Sequence, residues 1–451
     1  MIHPLPASSI PHIFTLEFFL FSTLPQTFTV ITLINLSFFI EMMRLPRCNA
    51  FDAARCKKDF CPVHQMDKIK IRSKQLSQNY YGKAITPFIG RFGYPNVNAG
   101  IINNDVESSE EAKLYDDPKT WAADNYDIAK IVTLRTNIVN SRFKIDVRRV
   151  QSKFLDVTKE ASQASLPADI EVNLDRAPEF DIKFFNVIQP MGPSARLKNI
   201  EITSNPKIDS RVDKVVSDID FKASAALSQL YDKGFDENFL SRLLSVGNLG
   251  VKVQRKLVPT RWSITATDDT LGKHLIEEIQ DFPEINYSLY YGHYLGNHYF
   301  ILFFPCVWSY ELFETHVNQY NKNNIDYMND YEVVFKRKAY AENTVGGYYS
   351  VRLAVLEKLK EMKRKGSALV LRYIDENYNI SLGVWVTREA ARKMEKVAEF
   401  NDKNELLHFT SKFVKEKFTQ YKFTLPNPDF FYSKSKLLNE IRTQRRLSAF
   451  F

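Results

Sequence analysis

Three of the four cysteines fall beside a histidine in the pattern Cys48-x7-Cys56-x4-Cys61-x2-His64. Three thiolates and an imidazole form a donor set that zinc takes tetrahedrally, and ligands a few residues apart leave little chain to order. A disulfide or free thiols are the alternative reading. Cys306 stands apart in an aromatic stretch and reads as a core residue.

The chain closes on Gln444-Arg445-Arg446-Leu447-Ser448-Ala449-Phe450-Phe451. Gln-x-x-aliphatic-x-x-Phe-Phe is the spacing of the peptide that docks on the DNA sliding clamp, the PCNA-interacting motif. In one helical turn Leu447, Phe450 and Phe451 share a face and make an apolar plug. Gln444, a turn earlier, offers its amide to polar groups beside a receiving groove, and Arg445 and Arg446 steer toward an acidic face. Docking of the same Leu and Phe on the body of the protein is the alternative.

Several residues between these ends could act on nucleic acid. Arg261 and Trp262 could hold a phosphate and stack a base. Asp268 and Asp269 could share a divalent metal for phosphodiester cleavage, or Asp269 could cap a helix running through Ile279. Gly346-Gly347 before a helix, with Arg352 close by, suits either a phosphate cradle or a plain turn. Glu311 and Glu314 read as one solvated helix face near Trp308, and Asp218 and Asp220 as caps of a helix beginning near Phe221. His293 and His298 flank a hairpin in a structural or a catalytic role. No Ser-His-Asp order, P-loop or dinucleotide fingerprint is present, so no enzyme class is assigned.

These groups need elements to position them. The 451 residues, 44% hydrophobic and 25% charged, suit a folded protein with a sizeable core in one or two domains. A formal charge of +8 permits nucleic-acid binding without requiring it. Residues 1–42 carry only Glu17 and Glu41 as charges. They fit an upstream extension before a start at Met42 or Met43, a membrane or interface anchor, or a cleaved signal, although the positive flank of a signal peptide is missing.

Helical periodicity runs over Lys119–Arg135, Val150–Ser165 and Phe221–Lys233, and Asp236 can cap a further helix. Strand patterns cover 169–174, 181–187, 197–203, 251–257, 261–267, 285–291, 299–304, 368–373 and 382–386, with Leu295-Gly296-Asn297 closing a hairpin. A long helix opens at Gly346-Gly347 and stops near Gly366, and another starts about Thr387. The expected class is α+β: a mixed, largely antiparallel sheet with flanking helices, a small zinc-finger-like N-terminal segment and a short clamp-binding tail. The expected divisions are an apolar extension (1–42), a finger-like, basic, loop-rich segment (43–98), an α+β core (99–432) and the tail (433–451).

Five stretches together resemble the archaeal Nre family (NreA-type) of DNA repair proteins, from about residue 48 onward. They are Gly90-Arg-Phe-Gly-Tyr-Pro, Gln189-Pro-Met-Gly-Pro-Ser, Val258-Pro-Thr-Arg-Trp-Ser-Ile-Thr-Ala-Thr-Asp-Asp, Thr344-Val-Gly-Gly-Tyr-Tyr-Ser-Val-Arg and Leu382-Gly-Val-Trp-Val-Thr-Arg-Glu. The resemblance implies a four-cysteine zinc finger: Cys48 fits its first ligand, Cys56 and Cys61-Pro62 its last pair, and Phe51 stands where the second cysteine belongs. His64 is the candidate replacement. The implied function is that of a cytoplasmic DNA-repair factor with PCNA and DNA as partners. The alternative is a clamp-tethered, metal-dependent nuclease using Asp268 and Asp269.

Overall fold

The computed structural model describes residues 77–148, 151–178, 189–317, 325–333, 337–419 and 425–443. Two sheets organise them. The first is built from β1 (Asn79–Ile89), β2 (Asn96–Asn104), β3 (Val139–Asp146), β4 (Ala168–Leu174) and β5 (Ser194–Ile202). Short helices α1 (Ser109–Lys113), α2 (Pro118–Ala123) and α3 (Ile128–Thr136) lie between β2 and β3, and α4 (Lys153–Gln163) lies between β3 and β4.

The strand order β1-β2-β3-β5-β4 closes into a barrel because β1 also pairs with β4. Every pairing is antiparallel except β3 with β5. This is a five-stranded Greek-key barrel of the OB type. Val97, Ala99, Ile101, Phe143, Ile170, Val172 and Ile200 alternate inward, and Leu155 of α4 joins their core.

After the barrel come α5 (Ser210–Ser217), α6 (Ala223–Asp232), α7 (Glu237–Ser245) and the long α8 (Thr260–Ile279). The second sheet combines β6 (Tyr287–Tyr294), β7 (Asn297–Phe304), β8 (Tyr310–His316) and β9 (Met328–Glu332) with two later strands. The elements that follow are α9 (Val345–Met362), β10 (Ser367–Ile374), α10 (Trp385–Arg392), β11 (Glu395–Phe400), α11 (Lys403–Phe418), α12 (Pro428–Lys434) and α13 (Lys436–Thr443). Strand order is β11-β6-β7-β10-β8-β9, with β10 and β8 the parallel pair.

One face of this sheet packs Tyr299, Ile301 and Phe303 against α8, α9 and α10, and the other packs Phe300, Leu302 and Phe304 against α11, α12 and α13. Burial on both faces explains why β7 and β10 read as unbroken apolar runs. The β6–β7 hairpin closes on Leu295 and Gly296, both with positive φ, the turn expected between twisted strands.

The α+β class therefore holds, with two sheets in place of one. Residues 79–98 belong to barrel strands and their connecting loop, so the loop-rich reading fails there. Residues 261–267 are helical, although β-branched Ile264, Thr265 and Thr267 suit a strand locally; packing of α8 on α9 overrides that preference. Their contact is close, since a Cβ on Gly272 would lie 2.9 Å from the Arg352 guanidinium. Residues 251–257 form an irregular segment with one tight turn, and 382–386 lead into α10. The single helix expected over Lys119–Arg135 is two, α2 and α3. Asp236 caps α7 as expected, accepting from the backbone of Asn238 and Phe239 at 2.9 Å. Strand 181–187 lies outside the described residues. Among the described residues no helix is long and apolar enough to cross a membrane.

Candidate nucleic-acid interface

The β1–β2 loop, residues 90–95, meets the first turn of α8. Thr260 Oγ1 accepts a hydrogen bond from the Ile89 N–H at 3.0 Å, and Tyr94 packs on Trp262 with ring centroids 5.4 Å apart. Two of the resembling motifs thus form one surface. Beside this contact Arg261 is exposed, and in the same β1–β2 loop Phe92 is 74% exposed with the Arg91 guanidinium 5.0 Å from its ring centre. A large apolar ring held in water beside cations suits a nucleobase flanked by phosphates. Trp262 is half-buried against Tyr94, which leaves part of its surface exposed beside Arg261.

The other candidates lie in a buried ion-pair network. Asp268 accepts from Arg388 at 2.7 Å on both oxygens and from the Ser350 hydroxyl at 2.6 Å. Burial pushes its carboxyl above the usual range, with Arg388 and Ser350 pulling the other way. Glu237 receives Arg388 at 3.1 Å, Arg392 at 2.8 Å and Lys119 at 3.5 Å. Despite its burial, Arg388 and Arg392 hold that carboxyl well below the usual value.

Asp269 pairs with Arg352 and Lys273, each at 2.6 Å, and Arg352 also reaches Glu332 at 2.8 Å. Asp268 and Asp269 are therefore bound to guanidinium and ammonium groups inside the helical layer and are not an open carboxylate pair. Asp269 also sits mid-helix, where it caps nothing. Arg352 has no exposed side-chain surface, so its expected phosphate contact is replaced by a structural one.

Gly346 and Gly347 are buried too. The N-terminus of α9 already has its anion, because Asp330 accepts from Thr344 N–H at 2.8 Å and from its hydroxyl at 2.9 Å. The glycines serve close packing: a Cβ on Gly346 would meet Val384, and one on Gly347 would meet Glu314. Glu311 and Glu314 lie on β8, not on a helix, and point to opposite faces. Glu314 pairs with Arg372 at 2.7 Å, while Glu311 caps α13 by accepting from Lys436 and Leu437 N–H at 3.1 and 3.0 Å. Asp218 and Asp220 do not cap α6, whose N-cap position is Lys222.

His298 lies between the Tyr291 hydroxyl, 2.8 Å from Nδ1, and Asp375, 3.0 Å from Nε2, with the His293 ring 4.2 Å away. Burial and the neighbouring His298 lower the His293 pKa to about 4. Cys306 is only half-buried at the edge of the second core. Cys48, Cys56, Cys61, His64, Gln444, Leu447, Phe450 and Phe451 lie outside the described residues. The tail boundary at residue 433 moves, since Leu437 and Leu438 of α13 pack into the core.

Sequence reasoning missed Glu237, Arg388 and Arg392, whose partners lie up to 155 residues away. It also missed Arg142, Lys144 and Arg196 on the barrel exterior. Alternation of Arg142 and Lys144 with Phe143 and Ile145 was the available signal.

A family model described as archaeal Nre, N-terminal, matches residues 55–321, and one described as archaeal Nre, C-terminal, matches residues 332–450. The chain is 37% identical to DNA repair protein NreB of Archaeoglobus fulgidus over 365 residues, 79% of this chain and 90% of that one. It is 34% identical to DNA repair protein NreA of Haloferax volcanii over 324 residues, 69% and 77% of the two chains. With DNA repair protein NreA of Archaeoglobus fulgidus the identity is 35% over 350 residues, 75% and 85%. No solved structure matches the chain. Two family models that between them run from the barrel through the second sheet, and relatives covered over most of their length, make this chain a member of the archaeal Nre family.

Proposed function

We propose that this protein is a cytoplasmic DNA-repair factor that holds DNA against the surface of Arg91, Phe92, Arg261 and Trp262 and is tethered to the PCNA sliding clamp. The observation that carries the DNA contact is the meeting of two separate motifs in one exposed basic and aromatic surface. The printed names of the three relatives, each a DNA repair protein, support the pathway. The tether is Gln444, Leu447, Phe450 and Phe451, which follow directly on α13. That helix is rooted in the body of the protein by Leu437, Leu438 and Glu311. Binding a ring-shaped clamp raises the local concentration of the protein at DNA, which substitutes for strong intrinsic affinity. Zinc at Cys48, Cys56, Cys61 and His64 completes the reading as a structural element.

Calorimetry of the full chain with PCNA tests the tether. A Kd of about 1 μM or tighter, lost in Phe450→Ala/Phe451→Ala, is the expected result. Equal binding by the variant refutes the assignment of the tail.

A further inference from the structure

The barrel carries a row of cations on its outer side. Arg142 and Lys144 alternate with inward-facing Phe143 on β3, and Arg142 stands directly opposite Arg196 of β5. Register partners share a face, and like charges placed opposite one another repel. Among the described residues, none of these three cations has a carboxylate partner, whereas Asp146 at the end of the same row is taken by Arg148 at 2.6 Å. Burial lowers the pKa of Arg142 from its usual value, as expected of a half-sunken cation without a counter-ion. Opposite Arg142 on the other side lies Gly100, where a Cβ would strike the Ser141 carbonyl oxygen. Gly100 is buried, so β2 and β3 pack closely there, and the cationic row is carried by Arg142 and Lys144 of β3 with Arg196 of β5.

This row runs toward the exposed ring of Phe92. Gly90 N–H donates to Asn98 O at 2.7 Å, and Asn98 pairs with Lys144. Half-buried Asn98 of β2, Lys144 and Arg142 of β3 and Arg196 of β5 thus follow one another on the outer side of the barrel, with Asn98 adjoining the β1–β2 loop. In five-stranded barrels of this topology that face and that loop take oligonucleotides.

We propose that the barrel binds single-stranded DNA, with a base stacked on Phe92 and successive phosphates held by Lys144, Arg142 and Arg196. This rests on the reading that the protein engages DNA, and it names the form of DNA. Lys144 and Arg142 are about 6.6 Å apart along β3, on the scale of the phosphate repeat of an extended strand. A duplex keeps its bases stacked inside and offers no free face to Phe92, so the aromatic contact selects the single strand.

Fluorescence anisotropy of the full chain tests this with a thymidine oligonucleotide of about 15 nucleotides, a duplex of equal length and the matching RNA. The single DNA strand is expected to bind most tightly. Phe92→Ala should weaken it roughly five- to hundredfold, and Phe92→Trp should restore it. Arg142→Gln/Arg196→Gln should reduce the slope of log K against log salt by about 1.4, from about 0.7 per phosphate contact. An unchanged thermal midpoint of each variant shows that folding is intact. Binding to no DNA at all overturns the DNA reading itself. Duplex or RNA bound as tightly as the single strand, or full binding by both variants, overturns the barrel assignment alone.

Discussion

Arg388→Met removes the cation at the centre of the buried network, and the structure sets how much that costs. Arg388 contacts Asp268 at 2.7 Å and Glu237 at 3.1 Å, both almost fully buried. After its loss Glu237 keeps Arg392 at 2.8 Å and Lys119 at 3.5 Å, so it stays compensated. Asp268 keeps only the Ser350 hydroxyl. One buried carboxylate without a cation costs about 3–5 kcal/mol. In a protein of this size that lowers the thermal midpoint by roughly 3–5 °C, at about 1 °C per kcal/mol.

The penalty depends on pH. Burial already raises the Asp268 pKa, and losing Arg388 raises it further. A carboxyl whose folded pKa exceeds its unfolded value favours the folded state below the unfolded pKa, and that advantage disappears as pH rises through the folded pKa. The deficit of Arg388→Met is therefore smaller at about pH 5 than at about pH 8. Arg388→Met/Asp268→Leu removes both charges and should recover most of the loss, because replacing a buried pair with apolar groups of similar volume is often neutral. Calorimetric melting of the wild type, Arg388→Met, Asp268→Leu and the double variant measures the cycle. A single variant within about 1 °C of wild type, or a double variant no better than the single, refutes a structural role for the pair.

Glu311→Ala should release α13, because its carboxylate accepts the first backbone N–H groups of that helix and the Ser435 hydroxyl at 2.5 Å. The expected local loss of about 1–2 kcal/mol would speed hydrogen exchange at residues 436–443 while β10 stays protected; unchanged exchange there refutes the cap. Zinc content of the purified full chain should approach one equivalent and fall in Cys61→Ser, since thiolate is the strongest donor of the set. Metal-free wild-type protein with unaltered stability refutes the zinc assignment.

Elements with strong local signals were legible from residues alone. The β6–β7 turn, the Asp236 cap, the long helix α9 and the apolar strands of the second sheet each follow from a few neighbouring side chains. Arg261 and Trp262 were also picked out by type, and the structure adds Phe92 and Tyr94 beside them. What failed did so where distant partners decide. The segment 261–267 has the composition of a strand, yet it is helical because α8 packs along α9 and sets Asp268 and Asp269 against Arg388 and Arg352.

Local composition thus determined the α+β class, the basic balance and the motifs that mark an archaeal Nre protein. Tertiary structure alone decided that β1 meets β4 to close a barrel and that Arg142 stands beside Arg196. It also decided that two aspartates suited to metal are spent on ion pairs. The physical reason is range: turns, caps and periodicity depend on residues within a few positions. Strand pairing in the barrel and charge pairing join residues about 50 to 155 apart, as the register of Arg142 with Arg196 and the ion pairs of Asp268 with Arg388 and Glu237 with Arg392 show.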